Sequence, residues 1–138
     1  MRRLLVLAMA LTTTLTAAGC SDTTGPAGSL AGTYSLRSVD GSPLPVTYFY
    51  AGYTDEIVAG RIDLDAQGNY VGTTTYRRTY TSGQAPIQFD DTIIGYWTLS
   101  GNQLTLVDTQ SGAQYFGTVS GSTITINDPY NGNQVYSK

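Results

Sequence analysis

From residue 32 onward the chain alternates apolar or aromatic residues with polar ones at a period of two, and no stretch of useful length carries helical spacing. Thr33–Arg37 opens this pattern, and Asp40-Gly41-Ser42-Pro43 punctuates it as a turn. Leu44–Tyr50 is apolar and aromatic, but Pro43 and Pro45 restrict its first half to an edge or a loop. Ala51–Asp55 reads as a loop. Ile62 and Leu64 then point one way while Arg61, Asp63 and Asp65 point the other, and Ala66-Gln67-Gly68-Asn69 turns the chain. The return strand, Tyr70–Thr81, places Tyr70, Gly72, Thr74, Tyr76, Arg78 and Tyr80 on one face, with neither face plainly apolar. Ser82–Pro86 closes it as a loop.

The second half contains a repeat. Ser100-Gly101-Asn102-Gln103-Leu104-Thr105-Leu106 and Ser120-Gly121-Ser122-Thr123-Ile124-Thr125-Ile126 share one pattern, each a glycine turn feeding a strand with two inward aliphatics. The strands entering them, Ile93–Leu99 and Tyr115–Val119, both carry aromatics beside a glycine. Turns at Thr109–Gly112 and Asp128–Asn133 and a last strand at Gln134–Ser137 complete a meander. Short strands joined by tight turns, with no crossover helix, predict an all-β fold: an antiparallel up-and-down barrel of about eight strands, closed to remove its edges.

The first 31 residues follow another logic. Met1-Arg2-Arg3 is a basic tip, Leu4–Leu15 is apolar, and Ala17-Ala18-Gly19 is a run of small residues ending at the only cysteine, Cys20. This is the layout of a secretory signal with its cleavage site. Ala18-Gly19-Cys20 resembles the lipobox of bacterial lipoproteins, with Ala17 where Leu, Val or Ile is usual. The resemblance implies a cleaved signal at residues 1–19 and acyl chains on Cys20. The alternatives are an ordinary signal cut near Ala18 and an uncleaved membrane helix; the apolar run, broken by Thr12–Thr14, falls short of the ~20 residues a helix needs to cross a bilayer. Residues 20–31 are small, polar and Gly/Pro-bearing, the composition of a flexible tether, and the barrel is assigned to residues 32–138. Ser21 after the cysteine implies, again by resemblance, an outer-membrane lipoprotein facing the periplasm.

Composition narrows the function classes. Sixteen glycines, eleven tyrosines and only 12% charged residues suit strands and turns. With Arg2 and Arg3 removed with the signal, five basic side chains face ten acidic ones, a net of −5. No basic run exists to release counterions from a polyanion, which argues against nucleic acid and against electrostatic membrane binding. Membrane attachment is therefore expected through the acyl chains on Cys20, two such chains sufficing where one is marginal.

The opening Leu30-Ala31-Gly32-Thr33-Tyr34-Ser35-Leu36 with Val39-Asp40-Gly41, then Leu44-Pro45, Gly95-x-Trp97 and the Ser-Gly turns before Leu-Thr-Leu strands resemble the small lipocalin-like domains of bacterial lipoproteins. Tyr34 stands where lipocalins usually carry Trp. The resemblance implies the barrel and leaves open a ligand, a small hydrophobic or amphipathic molecule in a lined pocket. Tyr70, Tyr76, Arg78, Tyr80, Trp97 and Tyr115 are the candidate pocket residues, with Tyr hydroxyls and Arg78 as orienting groups suited to an anionic or polar molecule. The competing reading takes the same residues as core packing in a solid barrel. The Tyr/Thr-rich outer face, with Tyr48–Tyr53, would then meet an envelope partner.

Enzymatic chemistry is not expected. The absence of histidine and the single, committed cysteine remove Ser/His/Asp, Cys/His and His-based metal sites from the inventory. Asp90-Asp91 and Asp55-Glu56 are adjacent pairs that a strand would point to opposite faces, so neither is a paired acid/base. Asp63-x-Asp65-x-Gln67-Gly68 falls short of a calcium loop, with Gln67 at the fifth place and Thr74 at the twelfth, and reads as an outward carboxylate pair leading into a turn. No catalytic residue, metal or cofactor is assigned.

Overall fold

The structure is a computed structural model that describes residues 30–138. The expected signal, Cys20 and the tether up to residue 29 lie outside the described residues. Ten strands follow in order: β1 (Gly32–Val39), β2 (Ser42–Pro43), β3 (Val46–Tyr50), β4 (Tyr53–Leu64), β5 (Asn69–Tyr80), β6 (Ile87–Ser100), β7 (Gln103–Asp108), β8 (Gln114–Ser120), β9 (Thr123–Asp128) and β10 (Gly132–Ser137).

Every pairing is antiparallel. Strands β4 to β10 form a continuous meander, β10 pairs with β1, and β1 returns to β4 through Gly32↔Leu64 and Ser35↔Arg61. The eight strands β1 and β4–β10 thus close into a barrel, as the alternation predicted. Closure gives the meander's outer strands partners in place of free edges. At the repeat, the Ser-Gly turns are set by Gly101 and Gly121, both in the left-handed region at φ 62° and 59°, which glycine enters without a Cβ penalty.

The seam between β1 and β4 is complete only over half its length. Bulges between Leu36 and Ser38 in β1 and between Ile57 and Ala59 in β4 bend the two strands apart. Beyond them β3 takes the place beside β4, pairing Val46↔Ile57 through Tyr50↔Tyr53, while β2 caps the end of β1. Leu44–Pro45, in the first half of the segment where a loop or an edge was expected, stays out of the sheet, and Val46–Tyr50 pairs with β4 on one side. The expected loop Ala51–Asp55 shrinks to a turn at Ala51-Gly52, because Tyr53–Asp55 already pairs with both β3 and β5.

The two barrel ends differ. At one end lie Leu30, Leu64, the turns that join β4 to β5, β6 to β7 and β8 to β9, and Lys138. This end is packed by Leu30, Tyr34, Leu64, Trp97, Leu104 and Ile124, all buried. Tyr34 is 1% exposed and its hydroxyl donates to the Leu30 carbonyl at 2.8 Å, so the ring packs the end while its polar tip is satisfied. Leu30, expected in the tether, is 3% exposed, so the packed domain starts earlier than residue 32. Lys138 closes the same end, its ammonium donating to the Ala31 carbonyl at 2.9 Å and lying 4.9 Å from the Tyr34 ring centre.

The opposite end is open. Strands β5 and β6 run past the barrel there: β7 pairs with β6 only from Gly95 onward, whereas β5 pairs with it back to Ile87. With β3 and β4 they form a four-stranded lip over one side of the mouth.

Candidate functional site

Register determines what the lip presents inward. Successive rows run Tyr50–Tyr53–Tyr80, then Tyr48–Asp55–Arg78–Ile87, then Val46–Ile57–Tyr76–Phe89, and, past the bulge, Gly60–Thr74–Asp91. Tyr50 and Tyr53 stack at 4.9 Å between ring centres, and Tyr76 and Phe89 at 5.4 Å. The Arg78 guanidinium lies 4.1 Å from the Tyr53 ring centre and 5.2 Å from that of Phe89, tying the two stacks into one aromatic wall.

Below the lip the barrel interior holds a small cavity of about 60 Å³. That is room for a few waters and well short of a ligand site of roughly 300–1,000 Å³. An open mouth of about 310 Å³ stands above it and shares Tyr76, Asp91 and Asn131 with its wall. At the cavity wall lies Tyr70, 3% exposed, whose hydroxyl has no hydrogen-bond partner among the described residues. Its ring lies across Gly95: a Cβ there would stand 2.8 Å from Tyr70 Cε1 and would collide with the Val107 carbonyl oxygen, so only glycine admits the ring. An orphaned buried hydroxyl costs roughly 1–3 kcal/mol, a cost that a water or a polar guest in the cavity relieves by taking its hydrogen bond.

Two carboxylates, Asp91 and Asp128, line this space. Asp128 accepts from the backbone N–H groups of Tyr130 and Asn131 at 2.8 and 3.2 Å, and from the Asn131 and Gln134 side-chain amides at 3.0 and 3.1 Å. Asp108, at the end of β7 and outside that lining, accepts from the Gln110 N–H and the Ser111 hydroxyl, which hold its carboxyl below the usual carboxylate range, the Ser111 bond contributing most. Asp91 pairs with no cation among the described residues. Burial above all, and then the Asp91 and Asp128 charges, push the Tyr76 hydroxyl up to about 12. The hydroxyls of Tyr70 and Tyr136 are driven higher still, burial again the larger cause.

The candidate residues divide accordingly. Tyr70, Tyr76 and Tyr115 line the inner cavity, and Arg78 stands in the mouth above it. Tyr80 sits higher on the lip beside Tyr53, at 6.5 Å between ring centres, and lines neither space. Trp97 is not a pocket residue: it is buried in the packed end and donates its indole N–H to the Asp65 carbonyl at 3.2 Å. Arg78 is also not the free orienting cation expected, because Asp55 takes two of its N–H groups at 2.7 Å each.

Sequence reasoning missed Tyr48, Asp55, Phe89, Asp91 and Asp128. The first half of β6 was readable, since Ile87, Phe89, Asp91 and Ile93 alternate, but the acidic pair in its middle resembles a turn. Asp90 and Asp91 do point to opposite faces, Asp90 outward to accept from the Thr75 hydroxyl at 2.7 Å. Asp55 and Glu56 divide the same way, inward to Arg78 and outward to Arg77. Asp65 is spent on its own turn, accepting from the N–H groups of Gln67 and Asn69 at 2.9 and 2.7 Å.

A trough of about 680 Å³ on the outer wall is larger, but it is bordered by outward threonines such as Thr73, Thr75 and Thr92, and its charges Asp90 and Arg61 are already partnered. Among the described residues no group of three or more acidic, cysteine or histidine side chains converges to hold a metal. Comparison with known proteins adds no relative: no family model, no curated protein and no solved structure matches the chain.

Proposed function

We propose that this is a lipid-anchored lipoprotein of the cell envelope whose lipocalin-like barrel binds a small molecule at its open end. The observation that carries the binding half is the unpartnered Tyr70 hydroxyl in a cavity that leads into an open, aromatic-walled mouth. A solid barrel built only for packing would have little reason to keep it. The anchoring half rests on the lipobox-like Ala18-Gly19-Cys20 and on the direction of the chain. Leu30 enters at the packed end, so an anchor preceding it attaches at the end opposite the mouth.

The competing role, a barrel that meets a protein partner and holds no ligand, draws on the small inner volume and on Phe49 and Tyr130, each 82% exposed. Native mass spectrometry of the full-length protein purified from its own envelope separates the two. A retained adduct above the diacylated mass supports binding; the bare lipidated mass, with co-purifying protein, supports the partner role. For anchoring, Cys20→Ser is expected to move the protein from the membrane to the soluble fraction. Unchanged fractionation with an uncut signal overturns it.

A further inference from the structure

The mouth's electrostatics select a ligand class, an inference that rests on the binding role just proposed. Five basic side chains exist among residues 30–138, and each has its place. Arg37 donates to Ser137 and Arg61 pairs with Asp63, both exposed; Arg77 pairs with Glu56 on the outer wall; Lys138 closes the packed end. Only Arg78 reaches the mouth, and Asp55 neutralises it in a two-point pair. Asp91 and Asp128, on facing walls of the same space, therefore have no positive counter-charge among the described residues. An anionic guest would enter a field of its own sign, so the anionic ligand suggested by Arg78 in the sequence is disfavoured.

The surroundings also discriminate between kinds of cation. A hard metal ion takes six or more oxygen ligands at close range, and no such convergence is present among the described residues. The walls are instead aromatic, with the Tyr76–Phe89 stack, Tyr48 and Tyr115 around the two carboxylates. Ring faces beside carboxylates are the environment that recognises organic ammonium groups, by cation–π attraction reinforced by charge. Tyr70 supplies the second, independent sign of a guest, a buried hydroxyl left to hydrogen-bond to whatever lies in the cavity.

We infer that the mouth binds a small organic ammonium compound, its charge held between Asp91 and Asp128 against the tyrosine walls and a further polar group directed toward Tyr70. Calorimetric titration of the full-length protein in non-ionic detergent tests this with tyramine and with tyrosol, which has the same skeleton with a hydroxyl in place of the ammonium; choline serves as a second cation. The cations are expected to bind at least tenfold more tightly than tyrosol. Asp91→Asn, at an exposed side chain whose loss leaves the fold intact by circular dichroism, is expected to weaken tyramine at least tenfold. Equal binding of tyrosol and tyramine, or tyramine binding indifferent to Asp91→Asn, overturns the ammonium assignment while the mouth still binds. If neither cation nor tyrosol binds and the natively extracted protein carries no adduct, the binding role falls with it.

Discussion

Arg78 and Asp55 face one another from β5 and β4 at a directly paired position and meet through two hydrogen bonds of 2.7 Å, Nε to Oδ1 and Nη2 to Oδ2. The fork-to-fork geometry fixes both side chains and holds the guanidinium between the Tyr53 and Phe89 rings. The Asp55 hydrogen bond also raises the affinity of Arg78 for its proton. The pair therefore organises the lip, and its charges cancel.

Breaking the pair from either side leaves a charge without its partner under the aromatic wall. Asp55→Asn and Arg78→Met are each expected to lower Tm by roughly 4–8 °C, while the double variant loses less than the two together. Differential scanning calorimetry reads all three; additive losses would mean that the two residues do not cooperate.

Trp97 anchors the packed end. Trp97→Ala is expected to cost about 3–5 kcal/mol, the usual loss for a buried large aromatic, in urea unfolding with an unchanged m-value. Trp97→Phe keeps most of the apolar contact and gives up the bond to the Asp65 carbonyl, so its loss is smaller. A cost for the alanine variant below about 1 kcal/mol would remove Trp97 from the core.

Gly95 is what lets Tyr70 lie across the barrel. Gly95→Ala is expected to destabilise by about 1–3 kcal/mol, since the new methyl meets the Val107 carbonyl and the Tyr70 ring together. Because the Tyr70 ring is one of the two groups that methyl meets, Tyr70→Ala in the Gly95→Ala background should cost less than in the wild type. Strict additivity in denaturant melts would refute the contact.

Alkaline titration separates the tyrosines. Tyr76 at about 12, with Tyr70 and Tyr136 beyond, holds its proton in the folded barrel well above the value near 10 of an unfolded tyrosine. A raised folded value means that these groups leave stability untouched below pH about 10 and erode it as the pH climbs toward 12, where the unfolded chain alone would release the protons. Tyrosinate absorbance should therefore rise in two phases, the later one coincident with loss of near-ultraviolet dichroism. A single phase near pH 10 with the fold intact would show the interior open to solvent.

The barrel was legible because its determinants are local. Ser100-Gly101 and Ser120-Gly121 specify turns by themselves, and Leu104, Leu106, Ile124 and Ile126 keep a strict period of two, so their inward face follows. The mouth is built otherwise: Asp55 meets Arg78, and Asp91 comes to share a space with Asp128, only through the closure register. That register is set by bulges after Leu36 and Ile57, which no short motif announces. Trp97 and Tyr76 both point inward in alternating strands, yet one fills a packed end and the other lines a cavity. Periodicity gives the face of a residue; its height along the barrel decides between those fates.

The overhang of β6 carries a further consequence for how the molecule behaves in a crowd. From Ile87 to Ile93 the strand has a neighbour on one side only, so its other side offers free amides and carbonyls to any extended chain that passes. Asp90 and Asp91 put a carboxylate on each face of that ribbon. Two copies docking rim to rim would crowd four carboxylates together, so the rim that offers free backbone groups also carries the charge that opposes its pairing with itself.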